Sequence, residues 1–177
     1  MATSPIKMVV VTGPECSGKS TLCAALSEAL NEPWVPEFAV EYLTEIDRNY
    51  TSDDLIAIAE GQLRNISEKK NSARRVLIVD TGIEVIEVWH RDKIGPLPER
   101  LRQMKTDWHP DLFLLCRPDI PYEPSPLRED EHRRNELFEV YENLLTNSPV
   151  QIIAGVLPER IKTALEAIEN LSSAGGL

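Results

Sequence analysis

No stretch of this sequence is apolar over a length that would cross a bilayer, and its first residues lack the apolar core of a secretory leader. The chain is therefore expected in the cytoplasm. Cysteine is scarce: Cys16, Cys23 and Cys116 have no paired spacing. That excludes a zinc ribbon and a disulfide framework, and leaves three small apolar side chains in a reducing compartment. His90, His109 and His132 show no metal-ligand spacing. Basic charge is short too, with 19 Lys and Arg against 29 Asp and Glu for a net charge of −10. Neither a nucleic-acid backbone nor an anionic membrane is the expected partner. Internal repeats, low-complexity blocks and the N-K-x-D segment that reads guanine are all missing.

What is present suits one globular domain. Of 177 residues, 42% are hydrophobic and 27% charged, enough to bury a core and ordinary for a folded chain. The expected domain spans residues 1–172, with a frayed tail over 173–177. Apolar runs within Ile6 to Val11, Arg75 to Asp80 and Asp111 to Cys116 read as strands buried on both faces, and Val150 to Ala154 reads as the last strand. A shorter strand at Trp34-Val35-Pro36 is expected at an edge, because its prolines limit pairing. Helices are predicted over Lys19 to Leu30, as a pair across Glu37 to Asn71, after Asp80 through Trp89, over Pro98 to Asp107, Glu129 to Leu145 and Pro158 to Leu171. Thr51 or Ser52 is expected to cap the second of the pair. Alternating strands and helices predict an α/β fold, a three-layer α/β/α P-loop NTPase arrangement with a five-stranded parallel sheet. A small lid is expected over about residues 117–135.

The chemistry begins at Gly13-Pro14-Glu15-Cys16-Ser17-Gly18-Lys19-Ser20, which satisfies G-x-x-x-x-G-K-[ST] between a buried strand and an amphipathic helix. Gly13 and Gly18 let the backbone turn where a Cβ would clash, so that successive amides converge on phosphate oxygens. Glu15, Cys16, Ser17 and Thr21 complete the expected nucleotide-binding segment. Lys19 is suited to reach the β- and γ-phosphates, and the Ser20 hydroxyl to ligate Mg²⁺. ATP with magnesium is the expected cofactor. Asp80 closes its strand at the edge of the sheet beside this loop, where a metal or its waters can be held.

Glu37 follows the Trp34-Val35-Pro36 strand at the same edge, where a carboxylate could take a proton from an attacking hydroxyl. Which of Glu37 and Asp80 is base and which serves the metal stays open. Arg128, Arg133 and Arg134 follow the proline-rich segment Pro118 to Pro124, and a lid bearing Arg128 and Arg133 would balance charge developing on a transferred phosphoryl group. Trp34, Tyr42, Trp89 and Tyr122 are candidates for stacking a flat ring, and Gly155 with Arg160 for shaping the adenine end.

Taken in chain order, the loop Gly13 to Thr21, Trp34-Val35-Pro36-Glu37-Phe38-Ala39, Asp80-Thr81 with Trp89, the lid Pro118-Asp119-Ile120-Pro121-Tyr122 to Arg128, and Gly155 to Arg160 resemble the ribosylnicotinamide kinase domain of NadR-type proteins. The resemblance implies transfer of the ATP γ-phosphate to the 5′-hydroxyl of nicotinamide riboside. It implies Glu37 and Asp80 near that hydroxyl and the metal, Arg128 in the lid, and Trp89 and Tyr122 near the nicotinamide ring. Such proteins also carry adenylyltransferase and sometimes DNA-binding domains, and only the kinase part is matched. Val40 stands where the family usually has arginine, Gly82 where it has a polar or acidic residue, and Ser125 near a lid aspartate; Tyr122 replaces a common tryptophan. The nucleotide half is intact and the acceptor half altered. A kinase for another small metabolite, and a nucleotide-binding switch without a dedicated acceptor, therefore stand beside the first reading. A homo-oligomer is left open.

Overall fold

The computed structural model describes residues 5–173 of the chain. Five strands, β1 (Lys7–Thr12), β2 (Trp34–Val35), β3 (Val76–Asp80), β4 (Leu112–Cys116) and β5 (Val150–Ile153), form one sheet in the order β2-β3-β1-β4-β5. Every pairing is parallel. Each crossover carries helix, as parallel neighbours require: α1 (Lys19–Leu30), α2 (Phe38–Glu45), α3 (Ser52–Lys70), α4 (Ile83–Lys93), α5 (Glu99–Thr106) and α6 (Arg134–Leu144), with α7 (Leu157–Ser173) following β5. The last helix extends two residues beyond the expected Leu171, and the expected tail from residue 174 lies outside the described residues. No helix among the described residues is long and apolar enough to cross a membrane.

Side-chain alternation along the strands builds the three layers. Val9, Val11, Ile78, Leu112 and Leu114 face α1 and α7, meeting Leu22, Leu26, Ala164 and Ile168. Val10, Leu77, Val79 and Phe113 point to the opposite face, where Ile66 of α3 and Leu145 after α6 cover them. With both faces covered, β3 and β4 are buried along their whole length and read as apolar runs, whereas the edge strand β5 carries an exposed Val150 and a half-buried Gln151. Strand β2 is confined to two residues by Pro33 and Pro36 and sits at the sheet edge, pairing Val35 with Val79.

α3 begins with a capping box. Thr51 takes the Asp54 amide, and the Thr51 amide donates to Asp54 Oδ2 at 2.7 Å. The buried Asp54 carboxylate also accepts both arms of Arg48, at 2.6 and 2.8 Å, and the Tyr42 hydroxyl at 2.8 Å. This one group locks α2, the α2–α3 turn and α3 together. The Arg48 guanidinium, with Tyr42 and Thr51, holds the Asp54 carboxyl well below the usual carboxylate range. Its ionised form therefore stabilises the fold above the unfolded-state value near ~4, and that stability is lost as pH falls below it. Asp54→Asn is expected to lower Tm at pH 7 by about 5 °C, with the gap to wild type narrowing below about pH 4. Calorimetry across pH would read both effects.

Candidate active site

Between β1 and α1 the chain turns so tightly that side chains are excluded. Gly13 has φ 132°, and a Cβ there would lie 2.7 Å from the Cys116 carbonyl oxygen on the neighbouring strand. Gly18 follows at φ 81° as the N-cap of α1, and Cys16 is also left-handed at φ 50°. The loop carbonyls are drawn outward. Ser17 Oγ and Lys19 Nζ donate to Pro14 O at 2.7 and 2.8 Å, Arg134 Nη1 donates to Cys16 O at 3.1 Å, and Arg160 Nη1 donates to Ser17 O at 2.7 Å. In a planar trans peptide the carbonyl and the next amide point in opposite directions. Pinning the Cys16 and Ser17 carbonyls thus aims the Ser17 and Gly18 amides to the other side, where an anion meets the α1 N-terminus. Lys19, Ser20 and Thr21 form the first turn of that helix, with Ser20 and Thr21 exposed.

Gly155 and Arg160, expected at the adenine end, form a brace. Buried Arg160 donates to Gly155 O at 2.7 Å and Arg117 O at 2.9 Å and pairs with Asp119, whose other oxygen accepts the Gly155 amide at 2.7 Å. The ends of β4 and β5 and the phosphate loop are thereby tied to a single guanidinium.

The lid lies directly on the loop. The carboxylate of Glu15 is turned to the lid backbone, where it accepts the amides of Glu129 at 3.0 Å and Asp130 at 2.7 Å. The Tyr122 hydroxyl reaches the same carboxylate at 3.4 Å. Arg134 lies 5.4 Å over the Tyr122 ring and also donates to Ile120 O at 3.1 Å. Tyr122 therefore packs between loop and lid and does not line the cleft described below. Cys16 Sγ accepts the Glu123 amide at 3.1 Å.

Two of the arginines expected in catalysis are directed elsewhere. Arg133 closes a short 3-10 turn (Glu131–Arg133) and pairs with Asp92 at 2.7 Å and Glu136 at 2.7 Å, away from the loop. Arg128 folds back onto the Glu123 carbonyl within the lid. The arginine from this stretch that touches the phosphate loop is Arg134, one residue later.

On the other side of Lys19 opens a cleft of about 500 Å³ lined by Ser20, Trp34, Glu37, Val40, Glu41 and Asp80, among others. Asp80 pairs with Val11 in register, is 1% exposed, and leaves Oδ1 without a hydrogen-bond partner. Burial raises its pKa, with Lys19 and Ser20 opposing. Glu37 is the N-cap of α2, two residues beyond the β2–β3 pairing. Burial pushes its carboxyl up to about 7, against the pull of Lys19; the negative charges of Asp80 and Glu84 reinforce the rise and a hydrogen bond from Thr81 opposes it. Trp89 is not brought to this cleft, since its ring packs edge-on against Tyr50 at 4.8 Å beside α3 and α5. Tyr42 is committed to Asp54. Of the four aromatics considered, Trp34 lines the cleft.

A buried acidic oxygen lacking a partner, beside the hydroxyl that follows the loop lysine, suits a hard divalent cation completed by phosphate oxygens and water. Asp80 and Ser20 are thus the fitting donors for Mg²⁺. The described residues hold no cluster of three or more His, Cys, Asp or Glu that could bind a metal unaided.

Sequence reasoning missed Gln62, which is buried and bonded to the backbone at both carboxylate segments. A signal existed: Gln62 occupies the apolar register of α3 set by Leu55, Ile58, Ala59 and Ile66. A long polar amide in that stripe must find partners. Arg160 stands likewise among the buried positions of α7 with Ala164 and Ile168.

A phosphate-type loop at the carboxyl edge of a parallel sheet, an acid on the neighbouring strand and a lid over the loop together define a P-loop kinase fold. Residues 8–160 match the AAA domain family, and the chain belongs to it. Among solved structures it is similar to a NadR protein in complex with NR, at 26% identity and TM-score 0.80, over 96% of this chain and 52% of that one. A NadR protein in complex with NAD and AMP-PNP is similar at 25% identity and TM-score 0.75, over 96% and 50%. The chain therefore spans about half the length of these NadR chains, and the likeness read from its motifs extends to the fold. A thymidylate kinase from Candida albicans (15% identity, TM-score 0.64, 95% and 93% covered) and a deoxyadenosine kinase from M. mycoides (13%, 0.62, 92% and 99%) share the fold. Comparison with curated protein sequences gives no match.

Gly13→Ala places a methyl group against the Cys116 carbonyl in a backbone region hostile to side chains. It is expected to weaken ATP binding by about a hundredfold or more while leaving the fold intact, as calorimetric titration would measure.

Proposed function

We propose that the protein is an ATP-dependent kinase acting on the hydroxyl of a small, unphosphorylated, nucleoside-like acceptor, with nicotinamide riboside first among candidates and the cytoplasm as its setting. The observation carrying this reading is Glu37: a carboxyl pushed up to about 7, on the wall of a cleft that begins at the phosphate loop. A general base works best when its pKa lies near the working pH. The acceptor oxygen attacks the γ-phosphorus as the bond to the β-phosphate breaks and ADP leaves, and Glu37 takes the hydroxyl proton. Lys19 and the loop amides balance charge on the transferred group. Mg²⁺, held by Ser20 and Asp80, would supply further charge neutralisation at the phosphates. Arg134 holds the lid against the loop and thereby limits the entry of water.

The cleft's charge favours a nucleoside over a nucleotide acceptor. Glu37, Glu41, Glu45 and Asp80 line it, and no Lys or Arg does. A phosphate on the acceptor would meet four carboxylates, whereas a cationic ring such as a pyridinium would be welcomed. Trp34 offers a face for that ring.

A second reading, a kinase for a different metabolite, is favoured by Gly82. The space its Cβ would fill is taken by the Trp108 ring at 2.2 Å, so the family's usual polar residue could not fit here without moving that ring. Val40, 52% exposed, gives the same cleft an apolar rim. In the third reading, a switch, ATP would be hydrolysed slowly and no added nucleoside would change the rate.

With nicotinamide riboside and a nucleoside panel, acceptor-dependent ADP release is expected. Lys19→Ala should abolish it, and Glu37→Gln and Asp80→Asn should reduce it by about a hundredfold or more. A rate that ignores every acceptor would sink the kinase reading in favour of the switch. Rates should rise with pH through about 7 as Glu37 loses its proton, and Glu37→Gln should remove that limb. The sign for stability is opposite. A raised carboxyl pKa costs stability once pH climbs from the ordinary value of 4.5 towards 7, so Glu37→Gln should raise Tm at pH 8.

A further inference from the structure

We propose that Gln62 is a positioning residue that sets the separation of Glu37 and Asp80. Its side-chain amide is buried in the middle of α3 and spans the gap between the two carboxylate segments. Oε1 accepts the Phe38 amide at 2.9 Å. Phe38 is the first residue of α2, so this amide is one of the donors a helix start leaves without an internal partner. Glu37, which caps that helix, makes no side-chain cap bond, so its carboxylate is not spent on the helix start. Nε2 donates to the carbonyls of Asp80 at 3.1 Å and Thr81 at 3.0 Å. The orientation of the amide is dictated by its partners: turned over, it would set an NH₂ against an N–H and an oxygen against two carbonyls.

Thr81 explains why such a clamp is needed. It sits at φ 65°, a left-handed conformation unfavourable for a β-branched residue, and its amide donates to Val11 O at 3.0 Å. The Thr81 side chain hydrogen-bonds Glu37. Released from Gln62, the Asp80-Thr81 peptide could relax towards an extended conformation and carry both the Thr81 hydroxyl and the Asp80 carboxylate with it. Gly61 completes the joint. A Cβ there would fall 2.1 Å from the Phe38 ring, so α3 meets the start of α2 at a position open only to glycine. The Gly61-Gln62 pair thus docks α2 by shape and by hydrogen bonds at once.

The structural claim stands apart from turnover; its kinetic consequence rests on the kinase reading above. The test uses Gln62→Leu, which removes all three bonds, and Gln62→Glu, which keeps the shape and the Phe38 bond but turns an anionic oxygen on the two carbonyls. Crystal structures of both variants and of wild type are expected to show the Glu37 carboxylate displaced from Asp80 by about 1 Å or more in at least one variant. An unchanged separation in both overturns the proposal, whatever happens to Tm. In steady-state assays with ATP and an accepted nucleoside, kcat should fall by about tenfold to a hundredfold while KM for ATP stays within about twofold. A matched loss in kcat and in ATP affinity would mean general disorder of the site and would also overturn it. Glu37→Gln, assayed in parallel, separates the two readings. If Glu37→Gln retains wild-type turnover, the base assignment falls, while the crystallographic separation still decides the role of Gln62.

Discussion

The site depends on the direction in which two carbonyls point. A phosphate-binding loop has no rigid side chains to shape it, and its amides face inward only if the intervening carbonyls are held outward. Here two arginines do the holding, Arg134 from the Cys16 side and Arg160 from the Ser17 side. Each bonds to other backbone oxygens as well, in the lid, at the end of β4 and after β5. The loop is therefore shaped from outside by the elements that must move or stay still around it. Sheet, lid and last helix meet at a few peptide units.

Opposite the loop, the cleft follows a different logic. Its walls are α2 and the end of β3; β1 pairs β3 as far as Asp80, but α2 follows a β2 of just two paired residues. The work passes to polar groups: Asp54 ties α2 to α3 at one end, and Gln62 ties the start of α2 to β3 at the other. Burial, reinforced by the neighbouring carboxylates, makes Glu37 hold its proton more tightly than a solvated glutamate. That environment destabilises the fold at neutral pH.

Much of this was legible in the sequence, for identifiable reasons. Strands buried on both faces have to be apolar, so β1, β3 and β4 announced themselves, and β5 was legible from a shorter apolar stretch despite Gln151. The loop was readable because its glycines answer a steric demand that any side chain would violate. A helix start at Thr51 or Ser52 and a short edge strand at Trp34-Val35-Pro36 followed from local chemistry as well, and the structure narrows them to a Thr51 cap and a strand of Trp34–Val35. What escaped depended on rotation and distance. Arg133 and Arg134 are neighbours in sequence, yet about 100° apart around a helix, and only one can face the loop. Trp89 and Tyr122 carry flat rings, but nothing local distinguishes a ring against a ligand from a ring against Tyr50 or Arg134. Gln62 and Arg160 acquire meaning only once partners 18 to 143 positions away are in place.

The bond between Arg160 and Ser17 joins residues 143 positions apart. During synthesis the glycine-rich turn therefore emerges long before the guanidinium that orients it. Over that interval the nascent chain carries its signature motif with one of the loop carbonyls unheld. A ribosome that stalls before the seventh helix releases a chain whose loop has lost one of its two holders.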